Sequence, residues 1–417
     1  MKSRRSPCRP RGSRRPRRIA AVFAAAAIAA VAIGPAVLPR SAAAEPAPSI
    51  DARTFRPPTD PRAGLLLEPT TTPGPWLWNA AVFVDYARDP VALRGGADNH
   101  GLGHPLANRI GADLVFGIGL GDRAAVAVDM PFSVWQDGTP SSGFSASVVD
   151  GGKVPAGGLG DVAVTAKATI VSNDRKGVAI GPGLAARSTV TLPTGDPASF
   201  AGEGALTAAA ELLGEYAVGA AALRASLGYF LRPERRTWPA IDGVTFGDSV
   251  TWAASFVLRP KAFFPSFDQD DRQTWELGVH GAVPAGPVAP FGLGGSGASL
   301  LSPAVLVLDD RVGLGHYRDT YLVVGAEVGL DQAVGVPIVG GVVSIGWAPR
   351  NHDRDDDGVL DDADQCPELP EDRDGIQDED GCPEDDADSD GVLDEQDACP
   401  LVAGVPSKDP KKNGCPP

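Results

Sequence analysis

The chain has 417 residues, of which 43% are hydrophobic, and its formal net charge is -16. This length allows two or more domains, and the acidic balance argues against a nucleic-acid-binding surface. The charge is unevenly distributed: residues 1–44 contain ten basic and no acidic side chains, whereas residues 351–417 contain 23 acidic and five basic ones. The two ends of the chain are therefore expected to differ in role from the part between them.

Residues 1–44 have the layout of a secretory signal peptide. Nine Arg or Lys residues precede an Ala-rich apolar run from Ile19 to Leu38, and Ala42-Ala43-Ala44 supplies small residues for cleavage. This order of basic, apolar and small residues is typical of an exported protein. A retained membrane anchor is the alternative, but Gly34-Pro35 interrupts the apolar run and favours cleavage.

Residues 45–75 are rich in proline. Proline lacks a backbone N–H and is excluded from the interiors of helices and sheets. We predict an extended lead-in here, either a tether or an arm that packs against the next domain.

Residues 76–350 alternate apolar side chains with small or polar ones, which is the period of a β-strand. In the first such segment Trp78, Val82 and Val84 point to one face, and Phe83 and Asp85 point to the other. Because the second face is small as well as polar, it suits the lumen of a narrow barrel better than the surface of a soluble sandwich. The residues assigned to this inner face include Gly111, Asp113, Thr165 and Lys167.

Short and long connections alternate between these segments. The short ones are Gly119–Arg123, Ser172–Gly177 and Gly214–Gly219, and the long ones are Ala87–Leu106, Trp135–Gly158, Pro193–Gly204 and Arg232–Asp248. Transmembrane β-barrels show this asymmetry, with short periplasmic turns and long outer loops. We predict an all-β fold for residues 76–350, a transmembrane antiparallel β-barrel of about 12 strands, an even number that returns the chain to the periplasm.

Several short motifs occur between Phe55 and Arg350: Phe55-Arg56-Pro57-Pro58, Gly119-Leu-Gly-Asp-Arg123 leading to Met130-Pro131, Gly160-Asp161 before Lys167, and Leu192-Pro-Thr-Gly-Asp196. These motifs resemble those of outer-membrane barrels of the phenol-degradation-transporter type and of OmpA-like proteins. The resemblance implies a passive pore or transporter, with small hydrophobic compounds as a candidate solute class. The alternative is a non-conducting barrel that anchors a calcium-dependent adhesion or spacer module.

The acidic end, residues 351–417, repeats one spacing of aspartates. Asp353, Asp355 and Asp357 precede Gly358, Cys366-Pro367 closes the unit, and the same spacing recurs from Asp386, with a shortened copy between. Calcium takes six to eight oxygen ligands at ~2.3–2.6 Å, and side chains at alternate loop positions can converge on one such ion. We therefore predict that this segment binds Ca²⁺, with an acidic, solvated linker as the alternative.

An EF-hand uses similar spacing but needs flanking helices and a glutamate at the twelfth loop position, and this sequence has neither. The ladder closed by Cys-Pro instead resembles the thrombospondin type 3 repeat. Four cysteines allow three connectivities, and the resemblance favours pairing of neighbours, Cys366 with Cys382 and Cys399 with Cys415. The predicted calcium ligands are Asp353, Asp355, Asp357, Val359 (carbonyl), Asp361 and Asp364; Asp372, Asp374, Asp378 and Asp380 in the shortened copy; and Asp386, Asp388, Asp390, Val392 (carbonyl), Asp394 and Asp397.

No catalytic residues are predicted, and we do not expect an enzyme. His100 and His104 are four residues apart, but their Gly- and Pro-rich setting favours an outer loop over a metal-binding helix. The expected partners are outer-membrane lipid, calcium and periplasmic envelope components, with the barrel in the outer membrane and the tail in the periplasm. OmpA-like relatives carry a peptidoglycan-binding domain after the repeats; we expect this chain to lack it and so not to bind the cell wall directly.

Overall fold

The computed structural model describes residues 51–53, 55–95, 100–138, 156–175, 178–195, 200–234, 236–238, 244–285, 302–315, 317–350, 352, 357–361, 364–371, 381–383, 388, 390–392 and 394–417. The chain divides into two compact units, one ending at Pro349 and the other beginning at Arg350. Within these described ranges, no helix has the length and apolar character needed to cross a membrane.

Twelve antiparallel strands form one closed barrel. They are β1 (Trp78–Gly95), β2 (His100–Gly119), β3 (Ala124–Asp137), β4 (Ala163–Val171), β5 (Gly181–Thr191), β6 (Thr207–Val218), β7 (Ala221–Leu231), β8 (Ser249–Leu258), β9 (Gln273–Pro284), β10 (Ala304–Leu314), β11 (Thr320–Gly329) and β12 (Val339–Trp347). Each strand pairs with its neighbours in the chain, and β1 also pairs with β12, so the sheet closes on itself. Closure removes the free edges at which another chain could pair. The predicted barrel of about 12 strands is confirmed.

Further short strand pairings occur among the described residues. Gly158–Leu159 pairs with β3, Asp174–Arg175 pairs with Val178–Ala179, and Arg236–Trp238 pairs with Val244–Phe246. The described part also contains the 3₁₀ turns Pro260–Ala262 and Asp394–Gln396.

Alternating side chains divide the wall into two faces, as the period of two predicts. In β1, Phe83 and Asp85 are buried while Val82 and Val84 are exposed. Asp113 on β2 is also buried, and its neighbour Leu114 is exposed. An outward face of exposed apolar residues fits contact with lipid, so the buried face is the lumen side.

Aromatic residues cluster where β1 begins and β12 ends. Trp78 lies 6.1 Å from Phe116 and 4.7 Å from Trp347, measured between ring centroids. Tryptophan and tyrosine are enriched at membrane interfaces because their rings are amphipathic. This end of the barrel also carries the connection between β6 and β7; we call it the short-turn end, and the opposite end the long-loop end.

One predicted loop is largely strand. The expected loop Ala87–Leu106 is replaced by extensions of β1 to Gly95 and of β2 back to His100, with Val91 paired to Leu106. Register shifts between residues 88 and 94 and a positive φ of 51° at Asp89 absorb the turn-forming residues within the ladder. Because β-bulges permit such irregular strands, the glycine and proline content of this segment did not end the strands. The predicted boundaries of the loop were therefore wrong. His100 and His104 accordingly lie on β2, not in a loop.

Part of the apolar core lies inside the barrel, between the wall and the N-terminal segment. Phe55 and Leu65 of that segment belong to a buried cluster with Phe83, Val305 and Val323 of the wall. The rings of Phe55 and Phe83 lie 5.8 Å apart. The Pro-rich lead-in is therefore a packed arm; we call residues 51–75 the lumen arm.

Candidate functional site: the lumen arm and the acidic tail

The lumen arm runs between the two ends of the barrel. Asp51 forms a β-bridge with Ala201, which lies in the connection between β5 and β6 at the long-loop end. At the short-turn end, the Trp76 N–H donates to the Gly119 carbonyl (2.9 Å). The prolines of the arm keep it from joining the sheet as a central strand, so its backbone groups must find partners among wall side chains.

Two wall carboxylates accept hydrogen bonds from three successive backbone N–H groups of the arm. Leu65 donates to Asp309 Oδ2 (3.0 Å), while Leu66 and Leu67 donate to the two oxygens of Glu276 (3.3 Å each). A buried oxygen that loses its hydrogen-bond donor destabilises the fold. Both carboxylates are buried, so the N–H groups of the arm supply donors in place of water.

A third wall carboxylate holds the next part of the arm. Glu215 Oε2 accepts from the Thr70 N–H (3.2 Å), from the Thr70 hydroxyl (3.1 Å) and from the Asn173 amide (3.2 Å). Arg224 donates to the other oxygen of Glu215 (3.0 Å) and to the Leu67 carbonyl (2.9 Å). Arm and wall therefore share one hydrogen-bond network.

Ion pairs cross from the arm to β4 and β5. Lys167 lies 3.0 Å from Asp60 and 3.2 Å from Glu68, both in the arm. Arg62 pairs with Asp60 at 2.8 Å, and Arg187 lies 3.4 Å from Glu68. Buried charges persist only when they are paired, so these contacts fix the arm in one position.

A second ionic group lies nearer the long-loop end. Arg53 of the arm pairs with Asp51 (2.7 Å) and with Asp113 of β2 (3.2 Å), and Arg109 pairs with Asp85 (3.3 Å). Asp113 and Lys167 were assigned to the inner face from the sequence; their partners in the arm were not identified there. The sequence feature that could have indicated these contacts is the presence of the charged residues Arg53, Asp60 and Glu68 in a Pro-rich segment.

Asp161 organises the long-loop connection that holds the start of the arm. Its carboxylate accepts from the N–H groups of Gly195 and Glu203 (2.7 Å each), and its own N–H donates to the Ala201 carbonyl (3.1 Å). Burial raises the pKa of Asp161, although these two backbone hydrogen bonds oppose the shift. Gly195 of the Leu192–Asp196 motif thus contacts Asp161 of the Gly160-Asp161 motif, while Asp196 lies outside the described residues.

A cavity of about 340 Å³ lies between the arm and the wall. Apolar parts of its lining include Phe55, Leu66, Phe230 and Val305. Hydroxyl and charged groups of β4, β5 and β6 line it as well, among them Thr165, Arg187, Thr189 and Glu211. The arm therefore does not fill the lumen completely, and the remaining space is amphipathic.

The acidic tail contains a compact carboxylate cluster. One carboxylate oxygen from each of Asp388, Asp390 and Asp397 lies within 4.8 Å of the others, an arrangement that could hold a metal ion. Asp390 is oriented by the N–H groups of Val392 and Gly404 (2.8 Å each). Asp397 accepts from Cys399 N–H through Oδ1 (2.6 Å), and its buried Oδ2 has no hydrogen-bond partner among the described residues.

The same local structure occurs 33 residues earlier in the chain. Asp357 accepts from the N–H groups of Val359 (2.6 Å) and Glu371 (3.2 Å), as Asp390 does from Val392 and Gly404. Asp364 Oδ1 accepts from Cys366 N–H (2.7 Å), and the buried Asp364 Oδ2 lacks a hydrogen-bond partner in the described part of the tail. A buried carboxylate oxygen without a hydrogen-bond donor is costly unless a cation approaches it. The carboxylate oxygens of both units therefore fit a hard divalent cation as its ligands.

Two disulfides close the tail units. Cys366 is bonded to Cys382 and Cys399 to Cys415, the pairs that the resemblance implies. Gly381 and Gly414, each next to a paired cysteine, have φ of 75° and 73°. A Cβ at either position would overlap the carboxylate of Asp364 or Asp397, so glycine permits the closed loop.

The structure brings together part of the predicted ligand set. Asp361 donates its N–H to the His352 carbonyl (2.9 Å), and Asp394 begins the turn that leads to Asp397. Val359 and Val392 orient aspartates through their N–H groups. The predicted ligands outside the described residues are Asp353, Asp355, Asp372, Asp374, Asp378, Asp380 and Asp386.

His104 has a role that the sequence did not suggest. Its Nδ1 lies 2.7 Å from an Asp89 carboxylate oxygen, a contact between β1 and β2. The pair joins the two strand extensions, and 49% of the His104 side chain is exposed. We interpret it as a structural contact.

Comparison with known proteins gives one family match and several similar solved structures. Residues 371–407 match the model of the thrombospondin type 3 repeat. No curated protein matches the chain. Among solved structures, the chain is similar to an outer membrane channel from Pseudomonas putida F1 (TM-score 0.48, 12% identity, covering 68% of this chain and 100% of that one). It is also similar to the NanC porin (TM-score 0.38, 8% identity, 65% and 99%) and to the outer membrane channel DcaP of Acinetobacter baumannii (TM-score 0.29, 10% identity, 66% and 96%). The chain thus combines a closed 12-stranded antiparallel β-barrel with a thrombospondin type 3 repeat tail.

Proposed function

We propose that this protein is an outer-membrane barrel that passes small solutes through its lumen, beside the arm, without an energy source. The observation that carries this proposal is the cavity of about 340 Å³ between arm and wall. Binding pockets for small molecules typically have volumes of ~300–1,000 Å³. A space of this size admits a small molecule but not a large or strongly hydrated one.

The lining of the cavity favours solutes with an apolar body and few polar groups. Phe55, Leu66 and Phe230 offer apolar contact, and Thr165 and Thr189 offer hydroxyls. A strongly hydrophilic solute would lose water there without full replacement of its hydrogen bonds. Small, largely hydrophobic compounds are therefore the proposed solute class.

The test is solute entry into liposomes that contain the full-length protein, with conductance recorded in parallel. Entry of a small aromatic compound faster than into protein-free liposomes supports the path. Equal rates for both liposome types contradict it. In that case the ionic contacts between arm and wall favour the second candidate, a non-conducting anchor for the tail.

We further propose that the tail lies in the periplasm and binds Ca²⁺. Asp388, Asp390 and Asp397 would hold one ion, and Asp357 and Asp364 would contribute to an equivalent site. Calcium would there neutralise carboxylates that otherwise repel each other at short range. Even strand number and the shared end of β1 and β12 support the location, since both chain termini of the barrel then face the same side.

The location has its own test. Protease added to intact cells should leave the Cys399–Cys415 region uncut until the outer membrane is permeabilised. Cleavage of the tail in intact cells would place it outside and contradict this part of the proposal.

A further inference from the structure

The connection between β8 and β9, residues 259–272, exposes three phenylalanines at the short-turn end. The exposed fractions of Phe263, Phe264 and Phe267 are 61%, 52% and 60%. Single exposed apolar residues need no explanation, but a contiguous apolar patch usually marks a contact surface. We call this connection the phenylalanine turn.

The phenylalanine turn has a defined backbone. The Pro260 carbonyl accepts from the N–H groups of Phe263 (2.9 Å) and Phe264 (2.7 Å). Asp268 is buried, and its carboxylate accepts from the N–H groups of Arg272 (2.8 Å) and Gln273 (3.1 Å). The phenyl rings are therefore presented from a hydrogen-bonded turn rather than from an unstructured loop.

Arginines at both ends of the turn attach it to the barrel. Arg259 donates to the Gly219 carbonyl in the turn between β6 and β7 (3.0 Å). Arg272 donates to the Gly315 carbonyl in the turn between β10 and β11 (3.0 Å). These contacts with the turns on either side hold the phenylalanine turn against the rim.

The phenyl rings continue the outward apolar face of β9. Phe264 and Phe267 lie 6.3 Å and 5.8 Å from Trp275, measured between ring centroids. Trp275 is two residues before Leu277 on the same strand, so both side chains share the outward face, and Leu277 is 49% exposed. Because that face contacts lipid, the aromatic patch extends the lipid-contacting band beyond the end of the strand.

We propose that the phenylalanine turn inserts its phenyl rings into the headgroup–acyl boundary of the phospholipid leaflet at the short-turn end. The occupant is lipid because the patch is continuous, through Trp275, with the membrane-facing surface. Exposed Lys261 lies beside the patch, and a lysine at this depth can reach a lipid phosphate. Aromatic and basic side chains together are typical of interfacial anchors.

The test places a fluorescent label at single cysteines of the full-length protein in phospholipid vesicles. Phe263→Cys reports on the turn, Leu277→Cys on the middle of the membrane band, and Leu401→Cys on the tail. All three are made in a Cys8→Ser background with the two tail disulfides intact. Quenching is measured with lipids that carry a nitroxide near the headgroup or near the end of the acyl chain, and with aqueous iodide.

Insertion predicts that the label at Phe263 is quenched roughly twofold more by the shallow than by the deep nitroxide lipid, because an interfacial side chain reaches only ~5–10 Å into the boundary. The label at Leu277 should respond more to the deep one, and that at Leu401 to iodide alone. Absence of lipid quenching at Phe263 would overturn the proposal: iodide quenching would then place the turn in water, and no iodide quenching would place it against protein. The response at Leu277 separates this failure from failure of the barrel to enter the membrane.

Discussion

Replacing Gly64 by alanine should release the lumen arm. A Cβ at Gly64 would overlap Asp309 Oδ1 and would lie 2.7 Å from Glu276 Oε2 and 2.8 Å from Asp309 Cγ. These two buried carboxylates accept the N–H groups of Leu65, Leu66 and Leu67, so they cannot move away without breaking those bonds. The variant therefore sets the new methyl group against the contacts that hold the arm.

The magnitude follows from the hydrogen bonds at risk. Leaving a buried acceptor without its donor costs about 1–3 kcal/mol. Loss of one or two of the three bonds would weaken arm binding by about 3 kcal/mol, or roughly 100-fold in the ratio of bound to displaced arm. A displaced arm opens the lumen and exposes its own backbone.

Two assays report on this displacement. In planar bilayers, Gly64→Ala should show more frequent and larger conductance steps than the wild type. In vesicles, trypsin should cut the arm after Arg62 faster in the variant. Gly74→Ala is the matched control, because its Cβ would meet only the flexible end of Leu77 at 3.1 Å. Heat-modifiable migration on a denaturing gel establishes that each variant forms its barrel.

Folded Gly64→Ala that matches both the wild type and Gly74→Ala in conductance and in cleavage would contradict this prediction. Such a result would mean that the arm accommodates a methyl group at no cost, or that it does not limit passage. Either outcome removes the arm as the element that restricts the lumen.

Two further predictions concern the tail and the buried charges. Asp397→Asn should raise the Kd for calcium by about tenfold, because it removes one charge from a three-carboxylate cluster. Asp409→Asn, at an exposed position outside the cluster, should leave the Kd unchanged. Calorimetry on the full-length protein measures both variants, and equal Kd values would contradict the assignment of Asp397 as a ligand. Lys167→Met should lower the free energy of unfolding by about 3 kcal/mol, since Asp60 and Glu68 lose a buried partner; a urea midpoint within error of the wild type would show that these carboxylates are paired well enough without it.

The barrel wall could be predicted because the two faces of each strand follow from the local sequence. Alternation at Phe83, Val84 and Asp85 assigns faces without knowledge of any distant residue, and the lipid and the lumen enforce the same period throughout. The loop prediction at Ala87–Leu106 failed where bulges keep turn-forming residues inside the ladder. Amino-acid composition indicates only the local conformational preference of this segment, whereas pairing with the neighbouring strand determines its structure.

The lumen arm could be predicted as extended but not placed. Its partners are far along the chain: Leu65 N–H and Asp309 are 244 residues apart. The spacing of the prolines does not indicate which wall carboxylates accept the N–H groups of the arm. The tail shows the same limit on a smaller scale: aspartate spacing predicts Asp390 as a ligand, but no sequence pattern indicates that Gly404, 14 residues away, donates its N–H to Asp390.

Blocking the cavity between arm and wall tests whether solutes cross the barrel there. Ala209 of β6 lines the cavity, and Leu212 of the same strand is 54% exposed on the outward face. Uptake of a small aromatic compound is measured in liposomes containing wild type, Ala209→Trp or Leu212→Trp. We expect Ala209→Trp to reduce uptake to the protein-free rate and Leu212→Trp to retain the wild-type rate. Equal uptake by all three folded proteins would contradict passage through the cavity.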